Sequence, residues 1–238
     1  MASQGYHVGV NKIISNNVDK NLFNDKRFMA GTFMPDALKS ILPDRRLSHF
    51  TGGGYLKYPT YEELKNLNLG NMSYGDSYAE KSYITDPKVS LDSFLEHNKH
   101  LSNYDPYKLG ILFHLYGDYM YETYVRNKTF DLTNQSQGFT TFNGKILDKD
   151  TFRKAIYELY PMLDNYFLQK EGITEEDMSH ISKIISDTYG KELLSFILKY
   201  IKYSNIKFKD NEFFKVGQLE SLTDLIKNES GSLINKLK

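Results

Sequence analysis

The residues of this chain best suited to chemistry lie in the run Leu109-Gly110-Ile111-Leu112-Phe113-His114-Leu115-Tyr116-Gly117-Asp118-Tyr119-Met120. Side chains four apart on a helix project from one face, with Cβ atoms about 5–6 Å apart, so His114 and Asp118 can grip one cation together. They share that face with Tyr107, Ile111, Leu115 and Val125, which read as core. An ionised carboxylate on such a stripe is costly unless it is paired, neutralised or bound to metal. Taken alone, a His-x-x-x-Asp pair is more often a hydrogen-bonded structural pair than a ligand set. Further donors shift that balance: Asp36 follows Pro35, His49 stands in Leu47-Ser48-His49-Phe50, and His7 opens the chain's first apolar periodicity. The chain has no cysteine, which leaves imidazole and carboxylate as the only strong ligands. A donor set of that kind suits Zn²⁺, with Mn²⁺ or Fe²⁺ as alternatives, and with an open position it lowers the pKa of bound water towards ~7.

The elements that must position these residues read as amphipathic helices joined by loops. The first is expected over 6–18, where Val10, Ile14 and Val18 recur at helical spacing and His7, three before Val10, faces inward. From Phe28 to Gly54 the pattern is punctuated by Pro35, Pro43 and a triple glycine, which predicts short helical turns and loops carrying Asp36 and His49. A Tyr/Ser/Gly-rich loop is expected over 73–86 and a helix over 89–101. The firmest helix starts at the N-cap Asp105, with Pro106 in its first position, and runs to about Arg126. An Asn143-Gly144 turn between apolar residues predicts the one β-hairpin, over 139–147. Further helices are expected over 150–169, with a bend at Pro161, then 174–188 with a capping box from Thr174 and Asp177, and 191–203. Residues 206–216 read equally as strand or loop, and a last helix over 218–227 precedes a polar tail expected to fray.

Composition sets the outer bounds. At 238 residues the chain can bury a sizeable core, and one domain, 1–238, is expected: mainly α, close to all-α. Thirty Lys and Arg offset thirty Asp and Glu, so no net field draws it to nucleic acid or an anionic membrane. No stretch approaches the ~20 apolar residues of a bilayer span. The N-terminal residues lack the basic segment and apolar run of a secretion signal, which predicts a cytoplasmic protein.

In these motifs the sequence resembles the zinc-dependent phospholipase C and S1/P1 nuclease superfamily, particularly its small bacterial branch of hydrolases. The resemblance runs from His7 to about Val125, roughly half the chain. It implies a helical bundle in which one metal is held by Asp36, His49, His114 and Asp118, in that order and at approximately the family's spacing. It also implies that Asp118 bridges to a second metal held partly by His7. Two departures matter: the family's third site uses a later His-x-x-x-Glu, whereas here His180 is followed four residues on by Ile184, and the family's N-terminal Trp ligand has no counterpart in a chain without Trp. One or two ions are therefore expected, with Asp148, Asp150 and Asp164 as weak candidates to complete the shell; capping or solvated surface is the better reading of each. The resemblance further implies a metal-dependent hydrolase acting on a small-molecule or lipid phosphoester. In it Asp36 and Asp118 are the catalytic carboxylates, with Asp36 orienting or deprotonating the attacking water.

Other features weigh less. Gly52-Gly53-Gly54 is followed by no Gly-Lys-Ser/Thr, so it is not a P-loop, and a loop beside His49 is the plainer reading. His97 and His100 sit in a polar run and read as surface. Arg45-Arg46 serves as an anion clamp or as an ordinary surface pair with equal ease. Tyr116, Tyr119, Tyr121 and Tyr124 read as packing around the paired ligands. An HD-type phosphohydrolase is disfavoured by the absence of a His-Asp dipeptide. The rival from another class is a non-catalytic scaffold stabilised by metal, or a partner-binding protein.

Overall fold

The computed structural model describes residues 3–39, 49, 60–66, 87–98, 105–126, 139–140, 146–191, 210 and 215–235. Eight helices appear among them: α1 (Gln4–Val18), α2 (Lys26–Lys39), α3 (Tyr61–Asn66), α4 (Pro87–His97), α5 (Pro106–Tyr121), α6 (Lys149–Lys170), α7 (Glu175–Tyr189) and α8 (Val216–Asn235). Two two-residue strands, β1 (Phe139–Thr140) and β2 (Ile146–Leu147), pair antiparallel with Phe139 opposite Leu147. The protein is mainly α, as its periodicity predicts. The residues of the Asn-Gly turn, of the glycine-rich loop at 52–54, of Arg45-Arg46 and of the helix expected over 191–203 lie outside the described residues, apart from Lys191 itself.

Helix starts follow local chemistry. Asp105 accepts from the backbone N–H of Tyr107 at 3.1 Å, and Pro106, which has no N–H to satisfy, opens α5. A one-turn π-helical segment, Glu122–Arg126, extends α5 to the predicted end. Thr174 and Asp177 close a reciprocal capping box on α7, and Gly190, at φ 89°, ends that helix in a conformation costly for other residues.

The bundle is organised around α5. Helix α2 packs along it, α4 and α1 flank it, α6 and α8 cover α1, and α7 lies on α2. The α2–α5 crossing is close because two glycines face each other's backbones. A Cβ on Gly31 would stand 1.9 Å from the Tyr107 carbonyl oxygen, and one on Gly110 2.1 Å from that of Phe28. Phe28, Phe33, Ile111, Leu112 and Phe113 fill the surrounding core.

Two expectations need correction. Pro35 does not break the segment after Phe28, because α2 continues through it to Lys39. An internal proline costs about 3 kcal/mol, while each large apolar side chain fully buried returns about 1.5–3 kcal/mol; Phe33, Met34 and Leu38, all buried on this helix, outweigh the break. Nor does the C-terminal segment fray after Lys227. The stripe Leu219, Leu222, Ile226, Ser230, Leu233 stays buried through another two turns. Asn17 on α1 ties that stretch down by donating to the Lys227 carbonyl at 3.0 Å and to Ser230 Oγ at 3.3 Å. Helix α6 likewise passes Pro161 without interruption.

Candidate metal centre

Three helices and one turn bring the candidate ligands to one place. His7 projects from the second turn of α1, Asp36 from the last turn of α2, His49 from a turn beyond it, and His114 with Asp118 from the middle of α5. None is more than 3 % exposed. The approach of α1 to α5 depends on Gly117: a Cβ there would stand 3.0 Å from His7 Nδ1, and the Tyr6 hydroxyl donates to the Gly117 carbonyl oxygen at 3.1 Å. The ring of His7 lies nearly parallel to that of His114, with centroids 3.9 Å apart and 11° between planes.

Asp118 stands at the middle of the group. Its Oδ1 is 3.5 Å from His7 Nε2, and its Oδ2 is 3.6 Å from His49 Nε2 and 3.8 Å from His114 Nε2. His49 Nε2 is also 3.6 Å from Asp36 Oδ1. These separations exceed the roughly 2.7–3.2 Å of an N–H···O hydrogen bond. They approach the spacing of atoms sharing a tetrahedral cation, since two ligands each about 2.1 Å from the ion lie roughly 3.4 Å apart. Two overlapping sets of donors fall within 4.8 Å of one another: His7, His114 and Asp118, and Asp36, His49 and His114. Each set could hold a metal ion.

The buried imidazoles support that fit. Beyond the Asp118 carboxylate facing His7 and the Thr32 main chain beside His114, the described residues offer these rings no hydrogen-bond partner of ordinary geometry. The Thr32 main chain favours the charged form of His114, against the larger effect of burial. A buried imidazole with poorly satisfied nitrogens is costly, which a cation would relieve. Burial, followed by the neighbouring His7, pulls the pKa of His114 down to about 4, so its ring is neutral at pH 7 and keeps a lone pair for a ligand bond. Burial pushes the Asp118 carboxyl up, but the positive charge around it, with His7 also hydrogen-bonding it, outweighs burial and holds it well below the usual carboxylate range.

The remaining candidates behave differently. Asp148 is exposed and caps α6 by accepting from Thr151 N at 2.9 Å and Thr151 Oγ1 at 2.7 Å. The side chain of Asp150 lies outside the described residues. Asp164 belongs to neither donor set, yet it is fully buried, so solvated surface is the wrong reading. It caps a helix other than its own, accepting from Tyr6 N at 2.9 Å at the start of α1. Burial pushes its carboxyl up to about 6, against the lowering effect of hydrogen bonds from Ser3, Tyr6 and Gly5. His97 is exposed and turned onto the Ser93 carbonyl at 2.8 Å, away from any chemistry. The sequence reading missed Gln4, whose amide donates to Asp36 Oδ2. Its position three residues before His7, on the same face of α1, was the available signal.

Comparison with protein-family models, with curated proteins and with solved structures finds no match for this chain.

Proposed function

We propose that this protein is a metal-dependent hydrolase of phosphodiesters or phosphomonoesters, with Zn²⁺ the expected ion and Mn²⁺ or Fe²⁺ the alternatives. The observation that carries the reading is the convergence of three imidazoles and two carboxylates, all buried, at separations of 3.5–3.8 Å. His49, His114, Asp36 and Asp118 would hold one ion, and Asp118 would bridge to a second held partly by His7. A divalent ion in that setting lowers the pKa of a coordinated water towards ~7 and offsets charge growing on phosphoryl oxygens. Asp36 then orients the water or takes its proton, and neutral His114 and ionised Asp118 hold the geometry. The phosphoester as substrate rests on the family resemblance alone.

The test is elemental analysis of protein purified without chelators, beside hydrolysis of chromogenic phosphodiester and phosphomonoester substrates with Zn²⁺, Mn²⁺ and Fe²⁺. The reading expects one or two ions per chain and hydrolysis that disappears in Asp118→Asn. Metal-free protein that takes up none of these ions would end it. The complete burial of all five side chains favours one other reading, a closed structural metal that stabilises the bundle. That reading expects bound metal without hydrolysis of either substrate.

A further inference from the structure

Among the described residues, the side chain of Gln4, not itself a candidate ligand, reaches in to the group of five candidate ligands. Gln4 is the first residue of α1, one turn before His7, and its amide donates from Nε2 to Oδ2 of Asp36 across 32 residues of sequence. The direction of this bond follows from charge: an ionised carboxylate only accepts, so the NH₂ end of the amide must face it. The other oxygen of Asp36, Oδ1, faces His49 Nε2 at 3.6 Å. The two oxygens therefore have separate roles, one towards the amide and one towards the donor cluster.

Resting on the reading of Asp36 as a ligand, we propose that Gln4 is a positioning residue that ties down Oδ2 and makes Asp36 a one-oxygen ligand. A carboxylate beside a cation is free to swing its second oxygen in, which raises the coordination number and occupies the position water needs. A hydrogen bond to that second oxygen prevents this swing and fixes the carboxylate plane, the usual part of a group bonded to a metal ligand. Gln4 carries a cost for the fold alone, because its Oε1 is buried with no hydrogen-bond partner among the described residues. That unsatisfied oxygen offsets part of what the bond to Asp36 contributes to the fold.

Two variants separate positioning from packing. Gln4→Met keeps the length and removes both polar atoms; Gln4→Asn keeps the amide but falls short of Asp36. With metal removed, both variants should stay folded, at a modest loss of melting temperature from the missing bond to buried Asp36. With metal restored, both variants should bind Zn²⁺ about 10–100-fold more weakly, measured by competition with a chromogenic chelator. Loaded with Co²⁺, both should show weaker visible d–d absorption than wild type, since a second Asp36 oxygen converts a four-coordinate ion to a five-coordinate one. Wild-type Zn²⁺ affinity together with an unchanged Co²⁺ spectrum in either folded variant overturns the proposal and leaves the hydrolase reading standing. Unfolding of both metal-free variants overturns it too, because Gln4 would then serve the fold. A wild-type chain that binds neither ion takes down both readings at once.

Discussion

At the scale of single residues the sharpest test falls on Asp118, because both of its oxygens face imidazoles. Asp118→Asn keeps the shape and removes the charge, and it should lower Zn²⁺ affinity on the order of 100-fold or more, since loss of a group that merely supports a ligand already costs 10–100-fold. Equilibrium dialysis against buffered Zn²⁺ measures this, and an unchanged affinity would remove Asp118 from the ligand set. Asp164 is tested through pH. Its folded pKa of about 6 lies above the ordinary aspartate value of about 3.9, so between those values the folded chain binds more protons than the unfolded one. Stability from this residue is full at low pH and is lost as pH rises through 4–6, by about 3 kcal/mol for a two-unit shift. Asp164→Asn should gain stability relative to wild type by that order between pH 4 and pH 7, read from denaturant melts of metal-free protein; a gap that does not change with pH would refute it. His7, His114 and Asp118 stood out in the sequence as polar residues on apolar stripes, whereas Asp36 and His49, read on turns and loops, were singled out by their motifs and by the order and spacing of the family they resemble. Gln4 and Gly117 were not, since nothing in a lone amide or glycine tells which distant atom it will meet.

At the scale of helices, legibility followed how local the deciding interaction is. The starts of α5 and α7 were readable because caps act within three residues of sequence. The continuation of α2 past Pro35 and of α8 past Lys227 was not, because burial against α5 and α1 decides both, and local propensity argues the other way. The same crossings supply a graded test. Gly31→Ala forces a methyl to within 1.9 Å of a backbone oxygen that cannot rotate away, so the helices must separate. The cost should reach or exceed the upper end of the ~1–3 kcal/mol typical of overpacking. Gly117→Ala meets only the edge of the His7 ring, at 3.0 Å, and the ring can shift. Its melt should move much less than that of Gly31→Ala, while its Zn²⁺ affinity falls. If both variants lose stability equally and bind metal equally, Gly117 has no special relation to the centre.

At the scale of the whole molecule, the centre should act as a clasp among α1, α2 and α5, because each contributes a candidate ligand and none of the three holds the set alone. A ligand that binds only the folded chain stabilises it by RT ln(1 + [L]/Kd), which is about 2.7 kcal/mol when free metal stands at 100 times Kd. For a chain of this length each kcal/mol moves the melting midpoint by about 2–4 °C. Chelation should therefore lower the midpoint of wild-type protein by roughly 5–10 °C, and excess Zn²⁺ should restore it. The same treatment of Asp118→Asn should produce a much smaller change, because the variant has little bound metal to lose. Pairing these melts with phosphoester hydrolysis separates the two readings of the buried cluster. A chelator-sensitive midpoint together with metal-dependent turnover assigns the ion to chemistry, whereas the same midpoint shift without turnover assigns it to holding three helices together. A midpoint indifferent to both chelator and added metal would leave the buried imidazoles of His7 and His114 as an uncompensated cost to the fold, and the centre would have to be abandoned.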